Sequence, residues 1–208
     1  LETQFAKHLA IDEATDTLFA SADEGLFRIH YNNKQWQVDK IPDTDNDLHF
    51  MVIDEGIIWV GNATQALYKI EHAQDDTRAN IITKFDGKDG LGKNNVVPFV
   101  LSRGVVFGTN DGLMDYQQGR QPELQFIEAL PEIFHSQNKD VYRVYEDQQH
   151  RLWYRIAAHT GYASLDQNNQ WQTHEDLFKY FPDSGYKDFV KTTENTLWFS
   201  MANGNIFR

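Results

Sequence analysis

The sequence predicts an all-β chain built from about five repeated four-stranded units, and three observations carry that expectation. Five segments repeat one pattern, a bulky pair running into small residues and then into a second apolar stretch: LFASADEGLFRI, IWVGNATQALYKI, VVFGTNDGLMDY, LWYRIAAHTGYASL and LWFSMANGNIFR. They are anchored at Leu18, Ile58, Val105, Leu152 and Leu197, so the intervals are 40, 47, 47 and 45 residues. A period near 45 is that of a four-stranded propeller blade. Within each unit apolar residues alternate every second position, as strands with one buried face require, rather than recurring at helical spacing.

The second unit shows the elements in order. HFMVIDEGIIWVGNATQALYKI predicts a strand to about Ile53, a turn at Asp54, Glu55 and Gly56, a strand over Ile57 to Gly61 and a third over Leu67 to Ile70. The fourth unit repeats the scheme with DVYRVYED, the turn QQH, RLWYRI and GYASL. NKQWQV and NQWQTH, containing Trp36 and Trp171, supply outer strands in two units. Asp, Asn and Gly turns join the strands, as blades need. The helical stretches expected around Ala129 to His135 and Glu175 to Tyr180 are too short to build a layer.

Composition bounds the function. The chain has 208 residues, 40% hydrophobic, 13% aromatic and 24% charged, which fits one sizeable folded domain over 1–208. Its formal net charge of −12 argues against a nucleic-acid partner, whose phosphates are held by clustered Lys and Arg. There is no cysteine, so disulfides, thiolate catalysis and Cys-based zinc sites are excluded and the redox compartment is unreadable. No run approaches the roughly 18–20 apolar residues that span a bilayer, and the residues from Leu1 onward are not expected to be a signal peptide. The strand pattern is still running at Arg208, so the chain is expected to be a segment whose targeting and output parts lie elsewhere.

Phe85 to Tyr116, FDGKDGLGKNNVVPFVLSRGVVFGTNDGLMDY, resembles the signature of two-component regulator propellers: a DGL-and-Asn loop, an inner strand, a turn, an LWVGT-like strand and a second DGL. IIWVGNATQALYKI and RLWYRIAAHTGYASL look like weaker copies, and SADEGLFRI resembles it fairly well. The resemblance implies the extracytoplasmic, periplasmic sensor region of a membrane-anchored bacterial signalling protein, coupled to a histidine kinase or a GGDEF diguanylate cyclase outside this chain. It also implies rings of seven blades, which would need roughly 315 residues. Three arrangements stay open: a closed five-bladed ring, part of a larger propeller, or an open arc that pairs its edges with another copy. The segment of a longer array is the favoured one.

The search for chemistry predicts no catalytic residue, metal or cofactor. The eight histidines show no HExxH pattern and no i, i+4 pair on a helix. The acidic run Asp43-Thr44-Asp45-Asn46-Asp47 lacks the Gly and bidentate Glu of a calcium loop, and FDGKDGLG lacks the strand-to-helix context of a phosphate cradle. DEGIIW and ENTLW resemble the Asp-box turns of sialidase-like propellers, which are structural staples. A propeller lyase of the streptogramin-lyase type and a protein-interaction scaffold are the alternative functions.

Binding is expected on the face carrying the loops between second and third strands and between successive units. That face would hold His49, Lys93, Asn94, Asn95, Asn110, Asp111, His159 and Tyr186, a set suited to hydroxyl-rich ligands such as saccharides. One position stands out: Ser21, Gly61, Gly108 and Ser200 are small, while their counterpart is Arg155. Arg155 is expected to bind an anionic group at the channel mouth or to pair between blades, with Tyr154, His159 and Tyr162 framing it on a loop lengthened by AAHTG.

Overall fold

A computed structural model describes residues 6–44, 47–62, 66–71, 81–91, 95–120, 123–135, 139–176, 187–191, 196–201 and 205–207. The first antiparallel sheet comprises β1 (Ala6–Asp12), β2 (Thr17–Ala22), β3 (Gly25–Asn32) and β4 (Gln35–Lys40) in sequential order. The second is β5 (Leu48–Asp54), β6 (Ile57–Asn62), β7 (Leu67–Glu71) and β8 (Ile81–Phe85). The third is β9 (Val97–Leu101), β10 (Gly104–Thr109), β11 (Gly112–Tyr116) and β12 (Leu124–Phe126). The fourth is β13 (Val141–Glu146), β14 (Leu152–Ile156), β15 (His159–Leu165) and β16 (Trp171–His174). Three strands of the fifth are described, β17 (Lys187–Lys191), β18 (Leu197–Met201) and β19 (Ile206–Phe207). The expected helical stretch near Ala129 condenses to a single 3-10 turn, Glu132–His135, whose Phe134 is buried; the other falls largely outside the described residues.

Alternation sends each sheet's two faces to different neighbours. Phe19 and Leu26 of the first sheet meet Met51, Ile58, Val60 and Tyr68 of the second in one core cluster. Trp59, Leu67 and Phe85 on the second sheet's other face pack with Phe107, Met114 and Leu124 of the third. Val97, Phe99, Val106 and Leu113 of the third then join Val144, Leu152, Tyr154 and Ala163 of the fourth. Trp153 continues the series to Phe199, at a ring separation of 6.3 Å. Inner strands β1, β5, β9 and β13 adjoin in succession, and residues of β1, β5, β9, β13 and β17 line one shared cavity. The sheets are therefore propeller blades set around an axis.

The small residues at the position of Ser21, Gly61 and Gly108 mark where one blade touches the backbone of the next. Ser21 Oγ donates to the His49 carbonyl at 2.8 Å. A Cβ on Gly61 would overlap the Val96 carbonyl oxygen, and one on Gly108 would lie 2.7 Å from that of Val141. Side chains larger than hydrogen or a serine that bonds the carbonyl would push the blades apart.

At its two ends the array leaves apolar faces uncovered. The outer face of the first sheet exposes Leu9, Ile11, Tyr31, Trp36 and Val38, and the fifth sheet exposes Trp198 and Ile206. Trp171, which occupies in the fourth sheet the register place of Trp36, is half-buried against the core shared with the third. Among the described residues these two apolar faces are not packed together.

Candidate functional site: the mouth of the axial channel

Because each sheet is an up-and-down meander, loops joining second to third strands and fourth strands to the next inner strand emerge at one end. The inner strands begin at that same end, and three of them begin with a register shift: between Ala6 and His8, Leu48 and Phe50, and Val141 and Arg143. A bulge re-aims the extra side chain and twists the strand locally. Lys7, His49 and Tyr142 are therefore the residues that the backbone turns out of the ladder at the rim of the channel.

Two polar clusters form around them. Lys7 Nζ donates to Asp23 at 2.5 Å and to Asp47, while His49 Nε2 stands 2.8 Å from both Asp47 Oδ1 and Lys7 Nζ. The hydrogen bond from Lys7, then that from His49, holds the Asp47 carboxyl below the usual range. On the far side, Tyr142 donates its hydroxyl to Asp140 Oδ2 at 3.1 Å and takes the Arg155 guanidinium over its ring at 4.6 Å. Asn110, nine-tenths buried, accepts the Lys139 N–H on its backbone carbonyl at 2.9 Å. The side-chain Oδ1 atoms of Asn110 and Asp140 are both shielded from solvent and lack a hydrogen-bond partner among the described residues. Buried acceptors of this kind suit a water or a ligand donor.

The predicted frame of Arg155 is corrected by strand geometry. AAHTG does not lengthen a loop: only Ala157 and Ala158 turn, with Ala157 at φ 48°, and His159, Thr160 and Gly161 belong to β15, paired to β14. Tyr154 and Arg155 are successive strand residues and point to opposite faces. Tyr154 is buried toward the third sheet against Phe134, and its hydroxyl donates to Glu175 Oε1 at 3.0 Å. Burial first, then the Glu175 charge, pushes that phenol far above its ordinary range, so it stays protonated and donates to Glu175. His159 Nδ1 lies 3.2 Å from the other Glu175 oxygen. Tyr162 stacks on His174 at 4.5 Å and takes Arg151, not Arg155, at 5.4 Å.

Of the loop residues expected on this face, His49, Asn95, Asn110, Asp111 and His159 lie there, Asn95 and Asp111 half-buried in the loops themselves. Lys93, Asn94 and Tyr186 fall outside the described residues. Sequence reasoning missed Lys7, Asp140 and Tyr142, because a bulge leaves the hydrophobic alternation nearly unchanged. It also missed Asp147, which accepts from Gln149 N, Arg151 N, Arg151 Nε and Trp153 Nε1 within 2.6 to 3.0 Å. This Asp-to-Trp staple closes the turn at the opposite end of the fourth blade, and the D-x-x-x-R-x-W spacing was its signal.

The axial cavity beneath the mouth has a volume of about 260 Å³. No protein-family model matches the sequence, and no curated protein matches it closely enough to count as a relative. Two solved structures are similar in fold, both of the extracellular domain of BT4673 from B. thetaiotaomicron. The one described as a one component system superposes with a TM-score of 0.63 at 17% identity over 97% of this chain. The other, described as a hybrid two component system, gives 0.56 at 14% identity, also over 97%. The chain spans 32% of the length of each. At these identities the likeness is one of architecture, and the chain shares the bladed, all-β fold of those extracellular domains.

Proposed function

We propose that this chain is the ligand-sensing propeller of a bacterial signal-transduction protein, working outside the cytoplasm and acting on kinase or diguanylate-cyclase domains beyond this segment. The observation that carries the reading is the mouth itself: three bulged residues, Lys7, His49 and Tyr142, ring a channel on a fold shared with extracellular domains of signalling systems. The groups gathered there hold and orient a ligand. They include Asn, Asp, Lys and aromatic side chains suited to saccharides and other hydroxyl-rich molecules. Binding would favour one arrangement of blades or neighbouring domains by its differential affinity for the two.

A thermal-shift series of sugars, amino acids and divalent ions on this chain tests the reading, since a ligand of the folded state stabilises by mass action. One class should raise Tm saturably, and His49→Ala and Tyr142→Phe should each weaken that response at least tenfold. Indifference to every class, or an undiminished response in both variants, would contradict it. Turnover of a binding compound by the chain alone would replace it with the lyase reading. The uncovered apolar face of the first sheet favours a second role, self-association or docking of another protein, which light scattering on the chain would detect as a species heavier than 24.2 kDa.

A further inference from the structure

The third blade ends in an open edge. Its last strand, β12, pairs with β11 through Phe126 with Met114, Gln125 with Asp115 and Leu124 with Tyr116. Bonds from Gln117 N–H to the Glu123 carbonyl, 2.7 Å, and from Ile127 N–H to the Leu113 carbonyl, 3.1 Å, fix which residues of the strand face inward. Bonded and unbonded residues alternate in an antiparallel ladder, so Gln125 exchanges bonds with Asp115 while Leu124 and Phe126 turn their backbone groups outward. The Phe126 carbonyl accepts from Glu128 N–H at 3.1 Å. The N–H and C=O of Leu124 and the N–H of Phe126 remain, a row that can template one more strand.

A cavity of about 590 Å³ follows that edge. Residues from both faces of the sheet line it, Asp115 and Gln125 from one and Met114 and Phe126 from the other, as a space beside an edge strand requires. Its volume falls within the roughly 300–1,000 Å³ of small-molecule sites, and Phe126, 44% exposed, supplies an apolar wall.

Charge divides the cavity lengthwise. Arg103 and Arg120 come from the β9–β10 and β11–β12 connections at one end, and Glu128, which follows β12, lies at the other. Arg103 is already neutralised, its Nη2 standing 2.8 Å from Asp115 Oδ2. Arg120 and Glu128 are exposed, and neither is ion-paired among the described residues. The three residues of β12 span about 10 Å at ~3.4 Å each, which is also the reach of an extended tripeptide.

We propose that the outer edge of the third blade binds a short free peptide, extended and antiparallel to β12, with its carboxylate at Arg120 and its ammonium at Glu128. Backbone pairing holds the peptide to the edge, and the two charges set its direction and length. The site is separate from the channel mouth and goes beyond the sensor reading, on which it does not depend.

The test titrates the intact chain with the tripeptide alanyl-valyl-alanine and, in parallel, with its N-acetylated, C-amidated form, following Tm. The free tripeptide should raise Tm saturably by about 2–4 °C, and the capped form, which keeps the backbone but loses both charges, should bind at least tenfold more weakly. Arg120→Gln and Glu128→Gln should each weaken the free tripeptide at least threefold and leave the capped form unchanged. Phe126→Pro removes an outward N–H without touching a ladder bond, so it should abolish the rise, while Phe126→Ala retains it. Should Phe126→Pro fail to fold, the two exposed charge variants decide. No rise, equal affinity for the capped form, or a rise indifferent to both charge variants would overturn the proposal. A sugar that stabilises through the mouth with no response to the tripeptide would overturn this inference alone and leave the sensor reading standing.

Discussion

The second, third and fourth blades meet over hydrogen atoms, whereas the fourth blade presents an arginine at the same register place. Gly61 and Gly108 let the carbonyls of Val96 and Val141 seat directly on the neighbouring sheet. Arg155, equally buried, instead lays its guanidinium over Tyr142. The difference teaches that the residue at this place serves the next blade's backbone where it is glycine, and a side-chain contact within its own blade where it is arginine. The partner ring belongs to the residue that the bulge of β13 turns to the mouth.

Substitutions sharpen that contrast in descending order of effect. Gly61→Ala should cost about 3 kcal/mol or more in denaturant melts, because the new methyl meets backbone that cannot give way without parting two blades. Asp147→Ala should cost about 2–3 kcal/mol, since it orphans the Trp153 and Arg151 donors of a nearly buried staple. Burial opposes ionisation of Asp147, but hydrogen bonds from Trp153, Arg151 and Gln149 outweigh it and lower its pKa on folding. The stability it adds is therefore fully present above the unfolded carboxyl value of about 4 and is lost as pH falls through the folded value. Melts of Asp147→Asn and the unaltered chain should consequently converge below about pH 4 and stay apart above it. An unchanging gap down to pH 2 would contradict the staple.

The Trp pair provides a smaller and cleaner comparison. Trp171→Ala should cost about 2 kcal/mol and Trp36→Ala less than about 0.5 kcal/mol, because one ring is packed on a preceding blade and the other is 69% exposed. Arg155→Ser, which restores the small residue of the other blades, should fall between them at about 1 kcal/mol, the worth of a shielded cation–π contact. A cost for Arg155→Ser as large as that for Gly61→Ala would mean that Arg155 does more than hold the Tyr142 ring of its own blade.

Much of the fold was legible because it depends on features that alternation and turn residues report. The Asp54-Glu55-Gly56 turn, the strands over 57–62 and 67–71, and the outer strand holding Trp36 follow from a two-residue period and from Gly and Asp at bends. The small residues before the loops were legible for the same reason, and their cause, a neighbouring carbonyl, is the packing expected of blades. The mouth was legible as a face but not as a set of contacts. Lys7, His49 and Tyr142 owe their orientation to single-residue bulges, which depend on cross-strand register rather than on local composition. The grouping of Tyr154 with Arg155 failed on a rule already present in the sequence, that adjacent strand residues face apart. His8 and Arg143 line a pocket that exists only where the five inner strands converge, which local sequence does not report.

Hydrogen–deuterium exchange with the best-stabilising compound bound tests most directly whether the channel mouth is where this chain meets its ligand. The account predicts added protection at 7–8, 49–50, 110–111, 142–143 and 157–159, at one end of the array. Protection confined to the opposite turns, 13–16, 55–56, 102–103 and 147–151, would contradict it.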